Sequence, residues 1–222
     1  NYNIGSLENF KGVLEGVENT NYKITTSQDK FILTIFEKRV KEQELPFFIK
    51  LQNHLSKKKI KCPSPISNNN NETITNFEGK KLMIVSFLEG RAKQNLSPAN
   101  CKTIGSEVAK MHELTKSLKL NRQNDLSVNS WRKLFNSVKD KCENIHKDLP
   151  RLIEENLNDV EKSWPKNLPK GIIHADLFHD NIFFIQDKFS GIIDFYFSCE
   201  DFFAFEIAIC FNALCFDGLK SN

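Results

Sequence analysis

The sequence predicts an α+β fold in two lobes: an N-terminal antiparallel sheet with one helix, then a mainly helical C-terminal lobe built around a hairpin. Three observations predict it. Short apolar runs bounded by turn residues fill the first part of the chain and read as strands. Beyond Phe87-Leu88-Glu89-Gly90 the apolar residues recur mostly at helical spacing. One segment in that second part is different in kind: Gly171 to Phe197 carries two apolar runs flanked by polar residues. A chain of 222 residues suffices for one large domain or two lobes. The Phe87–Gly90 stretch reads as the hinge, with residues 1–90 before the boundary and 91–222 after it.

Taken in order, Phe10–Val17, Asn21–Thr26 and Phe31–Phe36 read as three strands, the first two joined by the polar turn Gly16 to Asn21. Lys41–Lys59 reads as a helix with Leu45, Phe48, Leu51 and Leu55 on one face and Pro46 tolerable only in its first turn. Pro63, Pro65 and the Asn68–Asn71 run predict a loop. Thr73–Phe77 and Leu82–Phe87 are strands around Glu78-Gly79-Lys80, so five strands and one helix precede the hinge. Ser97-Pro98 predicts a helix start, with Ser at the cap and Pro at the first helical position. Its stripe is Ile104, Val108, Met111, Leu114 and Leu118, and His112 beside it reads as a packed histidine. Ser130–Ile145 and Leu149–Trp164 read as helices with Trp131 and Trp164 as core anchors, and Phe202–Phe216 as a buried helix.

Composition excludes several classes. Hydrophobic residues make up 40% and charged residues 27%, as in ordinary globular proteins. A net charge of +3 gives no reason to expect a nucleic-acid or membrane partner. No apolar run approaches the roughly 20 residues of a membrane span, and no signal peptide opens the chain. Six cysteines without a C-x-x-C pair predict reduced thiols in a cytoplasmic protein rather than disulfides or zinc. The sequence lacks an initiator Met and stops just past an apolar helix, so both ends are expected to be missing. Nothing in it sets the oligomeric state.

The chemistry concentrates after Gly171. Gly171-Ile172-Ile173 reads as a short strand leading into the polar run His174 to Asn181. Ile182–Ile185 and Phe189–Ile193 read as a hairpin about Asp187-Lys188. That register sets Asn181 opposite Asp194, with Cβ atoms about 5 Å apart on one face. A carboxamide oxygen and a carboxylate then converge, with Asp176 on the loop just before them. Hard oxygen donors of this kind suit Mg²⁺, which takes its other ligands from water and phosphate. Phosphoryl transfer needs a group to orient the attacking hydroxyl and metal to neutralise the phosphates. Asp176 fits the first role, Asn181 and Asp194 the second. His174, Asp176, Leu177 and Asn181 fall at kinase catalytic-loop spacing, and Asp194-Phe195 replaces the later D-F pair with Tyr196, not Gly, third. Acidic loop residues alone are ordinarily just solvated; spacing and register together favour chemistry.

Seven stretches carry a resemblance across nearly the whole chain: EGVENTNYKI, KFILTIFEKRV, ELPFFIKLQNHL, KLMIVSFLEG, GSEVAKMHELT, GIIHADLFHDNIFF and GIIDFYFSCEDFFAFEIAICFNA. They resemble the aminoglycoside-phosphotransferase and choline-kinase superfamily of small-molecule kinases, which has the two-lobed protein-kinase-like fold, and within it the homoserine kinases. The resemblance implies an N-terminal nucleotide-binding lobe, a C-terminal catalytic lobe that is incomplete here, and ATP and Mg²⁺ as cofactors. It implies that Asp176 is the catalytic carboxylate and that Asn181 and Asp194 hold Mg²⁺. Glu18, Asn19, Thr20 and Asn21 would cover the phosphates, and the backbone from Ser86 to Leu88 would hold adenine. Glu44 would be the helix glutamate that pairs with a strand lysine. Here the lysine position is Thr34, leaving Lys38 or Arg39 just beyond it as the cation. Glu206 stands where relatives often carry Asp.

The implied activity is phosphorylation of the L-homoserine hydroxyl in threonine biosynthesis. Kinases of the same fold for choline, methylthioribose or an aminoglycoside are the alternatives, as is a nucleotide-binding pseudokinase motivated by Thr34. A zwitterionic acceptor needs both of its charges matched. Glu200 and Asp201, on what reads as a loop turning back to the cleft, are the candidate acids, with Asp201 preferred for the ammonium; Arg132 is an available cation. The bland reading of Asp201 is a cap for the helix at Phe202.

Overall fold

The computed structural model describes residues 1–13, 19–37 and 40–216. Strands β1 (Leu7–Val13), β2 (Thr20–Thr26) and β3 (Lys30–Phe36) form an antiparallel meander. Of the expected turn from Gly16 to Asn21, the residues Gly16, Val17 and Glu18 lie outside the described residues, as does the pair Lys38-Arg39.

Helix α1 (Leu45–Lys57) follows a short 3-10 turn and carries Pro46 in its first turn, where the missing N–H has no intrahelical partner to lose. Its predicted face is the buried one: Phe48, Leu51 and Leu55 are fully buried and Leu45 nearly so. Burying each such side chain stabilises by about 1.5–3 kcal/mol. The Pro-rich stretch expected as a loop contains a short strand, β4 (Pro65–Ile66), which pairs with β6. It lies at the sheet edge, where a proline is tolerated, and it owes its conformation to its neighbour rather than to its own propensity. β5 (Ile74–Phe77) and β6 (Lys80–Ser86) turn at Glu78-Gly79, whose φ angles of 50° and 77° belong to the hairpin turn that matches strand twist. The sheet order is β1-β2-β3-β6-β4, with β5 also on β6.

Past Phe87–Gly90 the chain leaves this sheet, and β7 (Arg91–Ala92) enters a second one. Helix α2 (Pro98–Thr115) begins with a reciprocal cap between Ser97 and Asn100. α3 (Val128–Cys142) and α4 (Leu149–Ser163) share a small separate cluster of Phe135, Cys142 and Leu157. Trp131 and Trp164 meet edge to face at 5.2 Å, but both stay half-buried at its rim rather than serving as core anchors.

β8 (Lys170–Ile173) pairs with β11 (Cys199–Phe202), and between them β9 (Ile182–Ile185) and β10 (Lys188–Ile192) join β7 in a three-stranded sheet. The main core runs without a break from Phe48 and Leu51 of α1 through Met111 of α2 to Leu177, Ile182, Ile192 and Phe195 around the hairpin. α5 (Phe203–Leu214) is not the buried helix its composition suggested. It packs on β8 and β11, leaving Ile207 60% and Phe211 57% exposed. No described helix is long and apolar enough to cross a membrane.

Candidate active site

The site is built on the loop after β8. Ile172 and Ile173 bury the strand end, and Leu177 buries the middle of the loop, so the polar residues between them are held at the surface of the core. Ala175 has φ of 65°, a left-handed backbone that a residue with a Cβ adopts at a cost. Fully buried Glu206 of α5 holds it there. Its Oε1 accepts the Ala175 N–H at 2.8 Å, and its Oε2 accepts the His174 N–H at 2.7 Å and the His112 Nε2 proton at 3.2 Å. His112 also stacks on Phe203 at 4.3 Å. The histidine read as merely packed therefore fixes the carboxylate that fixes the loop. His174, also buried, donates from Nε2 to the Ile193 carbonyl at 2.9 Å and meets Phe195 edge on. His179 hydrogen-bonds through Nδ1 to the Lys93 carbonyl, tying the loop to β7.

Asp176, half-buried, accepts from Asn181 Nδ2 at 2.8 Å, and the same nitrogen donates to the Asp176 carbonyl at 2.9 Å. With its N–H₂ group so used, Asn181 keeps its carboxamide oxygen for another partner. Burial pushes the Asp176 carboxyl up; the His174 charge opposes this, and the Asp194 charge adds to it. Asp176, Asn181 and Asp194 thus belong to one electrostatic neighbourhood.

The hairpin that brings them there differs from its predicted register. The turn is Gln186-Asp187, one residue early, with Gln186 at φ 56°. A bulge at Ser190 then inserts an extra residue, so Ile193, not Asp194, hydrogen-bonds across to Asn181. The bulge has a packing cause. Gly191 sits at φ 154°, and a Cβ there would lie 2.3 Å from the Lys61 carbonyl. That carbonyl also accepts the Ile192 N–H at 2.9 Å. Asp194 recovers its aim by its own backbone: φ of 60° starts the 3-10 turn Phe195–Phe197, and its carboxylate accepts the Tyr196 N–H.

Among the described residues no cluster of three or more His, Cys, Asp or Glu could hold a metal ion. A donor set of one carboxamide oxygen and one carboxylate, beside an Asp176 carboxylate that burial first and the Asp194 charge after it disfavour, fits a hard divalent cation such as Mg²⁺, which is held by few protein groups.

At the residues expected to cover the phosphates, Asn21 Oδ1 accepts from Thr34 Oγ1 at 2.8 Å, Thr20 Oγ1 donates to Glu37 at 2.9 Å, and Asn19 Oδ1 accepts the Glu37 N–H. Ser86 is bound to Ser64 through both backbone and hydroxyl, while the Leu88 backbone makes no hydrogen bond to a described residue. Tyr196 fills the space between Thr34 and α1. Its ring packs against Phe36 and Phe48, and its hydroxyl, pushed up by burial, bonds Thr34. Glu44 faces Arg122 instead, with Nε 3.3 Å from Oε2, a partner the sequence gave no sign of. Glu200 and Asp201 do not sit on a loop over the cleft. They lie in β11, which runs back along β8 away from the catalytic loop; Glu200 bonds Lys170 at 2.7 Å, and Asp201 accepts from Asn124 at 2.7 Å. Arg132 is occupied by Glu161 on the α3–α4 surface.

A profile of the phosphotransferase enzyme family, APH, matches residues 9–221. A homoserine kinase of Parvibaculum lavamentivorans is 44% identical over 97% of this chain and 67% of its own length. A homoserine kinase of Mesorhizobium japonicum is 40% identical, covering 97% and 68%. The chain thus spans about two thirds of the length of the curated relatives it matches. Among solved structures, an amicoumacin kinase in complex with AMP-PNP and Ca²⁺ superposes with a TM-score of 0.70 at 16% identity, over 93% of this chain and 64% of the other. A choline kinase from Cryptosporidium parvum gives 0.64 at 17% identity, over 87% and 59%. The loop geometry, the family profile and the extended identity agree: the chain belongs to the phosphotransferase enzyme family and, within it, to the homoserine kinases.

Proposed function

We propose that this chain carries the nucleotide and phosphoryl-transfer site of an ATP-dependent kinase that phosphorylates the hydroxyl of L-homoserine, giving O-phospho-L-homoserine. The observation that carries this is the Glu206-braced loop with Asp176 and Asn181 bonded to one another beside Asp194. Asp176 accepts a hydrogen bond from the acceptor hydroxyl, orients its oxygen toward the γ-phosphate and takes up its proton as the new oxygen–phosphorus bond forms and the bond from the γ-phosphorus to the bridging oxygen breaks, with ADP leaving. The Asn181 carboxamide oxygen and the Asp194 carboxylate are the residues that would hold Mg²⁺. Mg²⁺, when bound, neutralises phosphate charge and fixes the nucleotide. A structural relative's complex with a nucleotide analogue and Ca²⁺ supports a nucleotide with a divalent cation; Mg²⁺ is the choice of the hard-oxygen donor set.

Residues 1–90 form the nucleotide lobe and 91–222 the catalytic lobe in this reading. The turn from Glu18 to Asn21 covers the phosphates, Lys38 supplies a cation to them, and the backbone at Ser86–Leu88 receives adenine. The partner is a small molecule. Glu200 and Asp201 are already engaged by Lys170 and Asn124 and are not assigned to the acceptor.

An acceptor panel tests the proposal. The full-length protein with Mg²⁺ and ATP is offered L-homoserine, choline, methylthioribose and an aminoglycoside, and kcat/KM is compared. Preference for homoserine is expected. Preference for another hydroxyl would overturn the acceptor and leave the kinase; absence of any transfer would overturn both.

A further inference from the structure

In kinases the helix glutamate pairs with a lysine at a fixed strand position. Thr34 occupies that position, and its side chain is committed to Asn21 and Tyr196. We propose that Arg122 is the partner of Glu44 here and acts as a positioning residue, linking α1 to the turn that aims Asp194. The proposal rests on the reading of Asp194 as a metal-holding residue.

The side chain of Arg122 is 13% exposed and reaches three places at once. Its Nε lies 3.3 Å from Glu44 Oε2 at the start of α1, and its guanidinium lies over the Phe48 ring of the same helix at 5.3 Å. Its Nη1 donates to the carbonyls of Phe197 at 3.3 Å and Ser198 at 3.2 Å, which close the turn that Asp194 opens. Its Nη2 reaches Asp125 at 3.2 Å. The main chain is fixed as well: the Arg122 carbonyl accepts the Glu200 N–H at 2.8 Å, and Gln123 bridges to Glu200 in parallel. The guanidinium faces the Glu44 carboxylate as an ion pair, without a hydrogen bond from Nε, while Nη1 donates to two carbonyls; a single ammonium cannot span both. A displacement of α1 is therefore transmitted to the Phe195–Ser198 backbone, and so to the left-handed φ that aims Asp194.

The competing role is a staple that only stabilises the fold. The test compares full-length wild type, Arg122→Lys, Glu44→Gln and the double variant. ADP affinity is measured by calorimetry across a Mg²⁺ titration, and melting temperature is read in parallel. Arg122→Lys is expected to raise the half-saturating Mg²⁺ concentration about tenfold, the worth of one charge-assisted hydrogen bond. ADP binding without Mg²⁺ stays unchanged. The double variant is expected to match Arg122→Lys alone, because both changes break one coupling. A lowered melting temperature with unchanged Mg²⁺ dependence, or additive effects of the two changes, would overturn the proposal. Should Arg122→Lys fail to fold, Glu44→Gln alone carries the test with the same two readouts. No acceptor enters the assay, so failure to phosphorylate homoserine leaves this inference standing. A wild type without Mg²⁺-dependent ADP binding would overturn it.

Discussion

Glu206→Gln exchanges one heavy atom at the centre of the loop and should be felt in both stability and turnover. The carboxylate is fully buried and accepts three hydrogen bonds, from His174 N at 2.7 Å, Ala175 N at 2.8 Å and His112 Nε2 at 3.2 Å. A carboxamide has one acceptor oxygen, so its N–H₂ group must confront at least one of these donors. The loss is a charge-assisted bond, about 1.5–3 kcal/mol, together with a buried N–H left unpaired, about 1–3 kcal/mol. The sum is about 2.5–6 kcal/mol, which for a chain of this size lowers the melting temperature by about 5–24 °C. Turnover should fall as well, because Ala175 holds its strained φ of 65° only while its N–H is bound, and relaxation there moves Asp176. Thermal melts by circular dichroism and steady-state kinetics read both effects. Glu206→Asp keeps the charge but falls one methylene short, so its losses should be intermediate. A Glu206→Gln protein that melts within about 2 °C of wild type, a margin worth under about 1 kcal/mol, and turns over normally would refute the bracing argument.

Three further outcomes are expected. Asp176→Asn should lower kcat by about 10²–10⁴-fold, the usual share of a positioned general base, while ATP affinity measured by calorimetry stays unchanged. Asp201→Asn should lower the melting temperature by a few degrees through its bonds to Asn124 and the Phe202 N–H, and leave the homoserine KM unchanged; a selective rise in KM would return Asp201 to the acceptor pocket. Gly191→Ala should destabilise by about 1–3 kcal/mol in a denaturant titration, since a Cβ there meets the Lys61 carbonyl and the bulge must shift.

What the sequence made legible was whatever repeats at a fixed period or sits at a fixed spacing. The α1 face, the α2 cap and the strands of the first sheet are of this kind, and so are His174, Asp176, Asn181 and Asp194. What it hid depends on distant parts of the chain. The Ser190 bulge answers to crowding by Lys61, far away in sequence, so local turn chemistry put the hairpin out of register. Cys199–Phe202 carries no strand pattern of its own, and becomes one by lying against β8. The pairing of Glu44 with Arg122 crosses from α1 to the segment after α2, which no spacing rule reaches. β4 is too short to announce itself. One signal was there to be used: Glu206 interrupts the apolar run FAFEIAICF, and a lone charge in such a run must be paired if it is buried. The exposed side of the same helix had no comparable signal, because Ile207 and Phe211 read as core by composition alone.

The most direct test of the central claim is phosphorus NMR of the full-length protein turning over Mg²⁺, ATP and L-homoserine, run beside Asp176→Asn. The expected result is a new phosphomonoester resonance that grows as ADP forms, needs Mg²⁺ and is lost in the variant. ADP accompanied only by inorganic phosphate, or a phosphomonoester formed equally well by Asp176→Asn, would contradict the assignment of this loop as the site of transfer to the homoserine hydroxyl.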